Sequence, residues 1–109
     1  MIREVITKDE EFLVKFLKFN GSGWDDDVQS IMEKKLYPIK ISKREIEVGW
    51  YYSEKEFDLE KDNIKFIFHL DDEGSMYLLL ISEITESSKQ KLREWATIIA
   101  EEVEKLKNN

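Results

Sequence analysis

Two apolar runs, NIKFIFHL and MYLLLISEI, separated only by DDEGS, constrain this chain more than any other feature. Gly74 in the connection supplies the positive φ that a short hairpin loop requires, so the pair reads as an antiparallel hairpin. Within the second run, YLLLI is apolar on both faces. A strand of that kind exposes too much apolar surface when one side meets solvent, which predicts a central position with helices covering each face.

The other segments are arranged around that hairpin. Thr7 with Glu10 has the form of a capping box, and Phe12, Leu13, Phe16 and Leu17 follow at helical spacing until Asn20 and Gly21, predicting a first helix over residues 8–19. A second helix starts at the aspartates, with Asp25 or Asp26 as N-cap, and carries Val28, Ile31, Met32 and Leu36 on one face before Pro38. Period two then appears in IKI, breaks at a turn over SKR, and resumes in EIEVGWYY, with Ile46, Val48, Trp50 and Tyr52 opposite Glu45, Glu47 and Tyr51. At the C-terminal end Ser87 is the expected cap. Leu92, Trp95, Ile98, Ile99, Val103 and Leu106 then form the apolar stripe of a helix of about 20 residues, roughly 30 Å long. The expected architecture is a single α+β domain over residues 1–109, with two N-terminal helices, an antiparallel sheet of three to four strands, and a long C-terminal helix packed on the sheet.

Its 109 residues, 41% of them hydrophobic, suffice for one core. The net charge of -7 repels phosphate backbones and anionic membrane surfaces, and favours a basic protein as partner over nucleic acid or membrane. No cysteine is present to form a disulfide or a thiolate zinc site, and no apolar run approaches the 18 or so residues that span a bilayer. The opening MIREVITKDEEF lacks an apolar signal core, so the expected location is cytoplasmic.

Catalytic patterns are scarce. GSGWDDD lacks the lysine and hydroxyl of a phosphate loop, and its three adjacent carboxylates do not alternate as calcium ligands do. His69 is the only histidine, and no GxSxG or HExxH accompanies it. The chain therefore reads as a non-enzyme without metal or cofactor. The alternative is a small ligand-binding domain or enzyme with a pocket near His69.

SEKEFDLEKDN points toward binding. In extended form Glu54, Glu56, Asp58, Glu60 and Asp62 share one face while Lys55, Phe57, Leu59 and Lys61 share the other, forming either an acidic ladder for a basic protein or a charged edge strand that resists aggregation. Trp24 and Tyr51, off the core stripes, are the candidate aromatic anchors, with Asp25, Asp26 and Asp27 beside the first. A small acidic domain of this composition resembles, in general character, the immunity and inhibitor proteins that neutralise basic toxins, often nucleases. A third reading is a homodimeric structural or regulatory subunit that associates through the apolar face of the first helix.

Overall fold

A computed structural model describes residues 2–17, 25–47, 53–71 and 75–107. Six strands, β1 (Ile2–Ile6), β2 (Phe12–Phe16), β3 (Lys40–Glu47), β4 (Ser53–Lys61), β5 (Ile64–Asp71) and β6 (Met76–Leu80), form one antiparallel sheet in the order β1-β2-β6-β5-β4-β3. Among the described residues two helices, α1 (Asp25–Lys35) and α2 (Glu86–Lys107), accompany the sheet. The class is α+β, and the long C-terminal helix packs on the sheet.

The two apolar runs are β5 and β6, paired antiparallel, and β6 is interior, as a strand apolar on both faces requires. Gly74 lies outside the described residues. Cover differs from expectation, because both helices lie on the same side. Val28 and Met32 of α1, Leu36 just after it, and Leu92, Trp95, Ile99 and Val103 of α2 join one core with Phe57, Phe66, Phe68 and Leu78 of the sheet. Phe66 stacks on Trp95 at 5.0 Å between ring centroids, and Phe68 sits between Phe16 and Phe57 at 5.6 and 6.1 Å. Lys43 and Lys61 lay their stems along the core rim, each placing its ammonium 6.0 Å from a ring, of Phe57 and Trp95 respectively.

The expected first helix is instead the β1–β2 hairpin. Thr7 donates its N–H to the Glu11 carbonyl at 2.9 Å, and its hydroxyl accepts the Glu11 N–H at 3.1 Å, so the apparent capping box closes a strand connection. Glu10 turns the chain with φ of 64°. The apolar residues fit both periods, and tertiary pairing selects period two: Phe12, Val14 and Phe16 face the helices while Leu13 is buried on the other side. Two N-terminal helices thus become one, three to four strands become six, and the helical face proposed for a homodimer is absent.

Three smaller corrections follow from pairing. SKR is no turn, since β3 runs unbroken along β4. β4 is interior, between β3 and β5, so its charges do not guard an edge. Thr85, not Ser87, caps α2, its hydroxyl accepting the Ser88 N–H at 3.0 Å while the Ser88 hydroxyl accepts the Thr85 N–H at 2.8 Å. The start of α1 at the aspartates agrees with expectation. Lys35 bonds Glu102 at 3.2 Å, tying α1 to α2 and holding the Glu102 carboxyl below its ordinary range.

Strand and helix make opposite demands at two positions. A helix would turn Val14 away from the stripe of Phe12, Leu13, Phe16 and Leu17, whereas in β2 Val14 is fully buried and Leu17 is exposed. Val14→Asp should therefore cost several kcal/mol in urea denaturation, and Leu17→Asp about 0.5 kcal/mol or less.

Candidate functional site

Residues paired across a sheet share a face, so the register alone assembles the surface opposite the helices. One row crosses all six strands: Arg3, Lys15, Tyr77, His69, Glu56 and Arg44. The next row is Val5, Leu13, Leu79, Ile67, Asp58 and Ser42, apolar over its first four strands. Beyond it Lys65, Glu60 and Lys40 stand side by side, with Ile81 adjacent.

The most ordered chemistry surrounds His69. Its Nδ1 lies 3.0 Å from Glu56 Oε2 and its Nε2 lies 3.0 Å from Asp71 Oδ2. His69 is 5% exposed and Asp71 7%, although both helices are on the other side of the sheet. Tyr77 stacks on the imidazole with centroids 4.6 Å apart and planes 15° apart. Burial, reinforced by Glu56, Glu54 and Asp71, raises the Tyr77 phenol above its ordinary value of 10.0. The register sets Glu54 directly across from Asp71, a meeting of like charges that is costly without a nearby proton or cation. Asp71 Oδ1 also accepts the Ser75 N–H at 3.1 Å, which ties the network to the chain entering β6.

Arg44 completes the row from the outer strand. Its guanidinium meets Glu56 at 3.1 Å and Asp58 at 2.8 Å. The acidic ladder exists as Glu54, Glu56, Asp58 and Glu60 on one face of β4, but its two middle members hold Arg44, and Glu60 lies between Lys40 and Lys65. Asp62 is not part of it. With Asn63 it forms the β4–β5 turn, φ 53° and 65°, and its carboxylate lies 3.6 Å from Lys91 of α2. Asp25 begins α1. Asp26 and Asp27 are exposed on that helix, on the opposite side of the sheet from the ladder, with Asp26 3.6 Å from Lys43. The aspartate run and the ladder therefore do not form one surface. Trp24 and Tyr51 lie outside the described residues.

Chemically, the arrangement occupies both imidazole nitrogens, leaving neither as a base or ligand for a bound molecule. Glu56 and Asp71 sit at opposite nitrogens and cannot converge with the ring on one ion, and among the described residues no three His, Cys, Asp or Glu side chains are grouped to hold a metal. Beside the network a trough of about 410 Å³ crosses β3, β4 and β5, lined by Ser42, Asp58, Ile67 and Ile81 with Lys40 and Lys65 at its ends. Sequence reasoning missed Arg44, Asp71 and Tyr77. The signal for Asp71 was its spacing of two from His69 on a strand, which puts both on one face.

His69→Ala removes the donor that Glu56 and Asp71 share and breaks two shielded hydrogen bonds to carboxylates, so urea denaturation should show a loss of about 3–5 kcal/mol, against about 1 kcal/mol or less for the half-exposed Arg44 in Arg44→Ala. In alkaline titration followed by ultraviolet absorbance, Tyr77→Phe should remove a late-ionising phenol. The native state holds that proton more tightly than the unfolded chain does, so the stability it contributes is complete below pH 10.0 and declines above it.

No protein-family model, curated protein or solved structure matches the chain.

Proposed function

We propose that this chain is a non-catalytic, cytoplasmic protein-binding domain that receives a basic protein on the sheet face opposite its helices. The observation that supports this most is the apolar row of Val5, Ile67 and Leu79, half-buried around the buried Leu13 and extended by Ile81, which is 52% exposed. Rows of this kind normally lie under a second layer, and a partner supplies one.

The division of labour follows from charge. The net charge of -7 draws a basic partner from a distance, while the apolar row makes the short-range contact. Glu56 and Asp58 are already engaged by Arg44, and Asp26 lies 3.6 Å from Lys43, so among these carboxylates the exposed Asp27 on α1 is best suited to steering. An inhibitor or immunity protein directed at a basic, nuclease-like toxin is one protein of this description. Catalysis at His69 is disfavoured because both ring nitrogens face carboxylates. Among the described residues no helix is long and apolar enough to cross a membrane.

Capture from a lysate on immobilised protein, followed by kinetics with the purified partner, tests the reading. A basic partner is expected whose association slows by tenfold or more as salt is raised. Ile81→Asp should act mainly by speeding dissociation. An acidic partner, or binding indifferent to both salt and Ile81→Asp, would exclude this mode of action.

A further inference from the structure

We propose that Glu56, His69 and Asp71 form one proton-binding unit, holding one proton more than a neutral imidazole between two carboxylates, and that this proton latches β4, β5 and Ser75, the residue that leads into β6, together. The inference is independent of the partner proposed above. It starts from hydrogen counting. Each of the two N···O contacts is 3.0 Å long, a hydrogen-bond length that requires a hydrogen between the atoms. A neutral imidazole brings one N–H and an ionised carboxylate brings none, so two bonds need a second proton. Whether that proton is assigned to the ring or to a carboxyl, it belongs to the three groups jointly.

Loss of the proton to solvent leaves a ring lone pair facing a carboxylate oxygen at a shielded position. One contact must then open. Every strand packed against the ring bears on the outcome. From β6, Tyr77 covers the ring face, and Lys15 of β2 lies beyond it in the same row. From β3, Arg44 holds the second oxygen of Glu56 at 3.1 Å. From β4, Glu54 stands across from Asp71 and favours retention of the proton. Asp71 has the more consequential position, because its other oxygen accepts the Ser75 N–H and its own N–H donates to the Ser75 carbonyl at 3.2 Å. Opening at Asp71 therefore loosens its pairing with Ser75 as well as the ring.

The sign of the linkage is fixed by this geometry. The folded chain binds the extra proton and the unfolded chain, with its groups separated, releases it more readily, so stability falls as pH rises. Over the span in which only the folded form retains the proton, the unfolding equilibrium constant should climb by up to tenfold per pH unit.

His69 is the chain's only histidine, so its ring signals are unambiguous in the intact protein. A pH titration of wild type labelled with nitrogen-15 and carbon-13, read at the ring nitrogens, the Asp71 and Glu56 carboxyl carbons and the Ser75 amide, should show one common midpoint. Denaturant unfolding across the same range should show the steep component in wild type and its loss in His69→Gln. A neutral ring between two ionised carboxylates throughout the folded range, or a Ser75 amide unmoved while the cluster titrates, would overturn the proposal. If His69→Gln does not fold, the wild-type titration alone decides between these outcomes.

Discussion

Burial of one face of β5 and β6 is the constraint to which the rest of the molecule answers. Phe66, Phe68 and Leu70 alternate along β5, and Met76, Leu78 and Leu80 stand beside them on β6. A two-stranded ribbon is at best marginal in water, so these residues need both lateral strands and a covering layer. Pairing of β2 to β6 and of β4 to β5 supplies the first, and brings Val14 and Phe57 into the same row as Leu78 and Phe68. A helix of 22 residues, roughly 33 Å long, exceeds the width of six strands at about 4.8 Å spacing. α2 can therefore span the sheet, and α1, clipped to it through Lys35 and Glu102, fills the remaining cover.

The second consequence concerns charge. Placing β4 inside the sheet brings its four carboxylates beside neighbours on both flanks, where unpaired like charges are destabilising. Each flank answers with hydrogen-bond donors: Arg44 from β3 reaches Glu56 and Asp58, and His69 from β5 reaches Glu56 again. Lys40 and Lys65 flank Glu60 in the register. The sequence alternation that resembles an exposed acidic strip is therefore one third of a cross-strand pattern whose other two thirds lie on the flanking strands, Arg44 and His69 being 12 and 13 residues from Glu56.

That distance explains which features were legible. The β5–β6 hairpin, α1 and α2 are local in origin, since their apolar periods lie within one segment, although the α2 cap is Thr85 and not Ser87. The faces of β4 were legible for the same reason, Phe57 and Leu59 falling on the helix side and the carboxylates opposite. β1 and β2 were not, because FLVKF satisfies both periods and only its pairing with Leu79, Leu78 and Tyr77 decides between them. The site was equally non-local. His69 was placed on the correct face, but its partners arrive from the adjacent strand and from two residues further along its own, and Arg44 was read as part of a turn.

The charge accounting of the face opposite the helices bears on how an acidic chain can make a precise contact. In the strands, Arg3, Lys15, Lys40, Arg44 and Lys65 match Glu54, Glu56, Asp58, Glu60 and Asp71 in number. The negative excess of the chain therefore lies elsewhere, on helices and connections, including the exposed Asp26 and Asp27. Long-range attraction and close contact are thereby separated in space. A surface already balanced internally does not require a partner to strip water from a run of unpaired carboxylates, a step whose desolvation cost can cancel the gain from pairing. Under the proposed reading, the field from the excess charge would act earlier, at distances where salt screens only partly, and would set how often a partner arrives, separately from the balanced face that would set residence time.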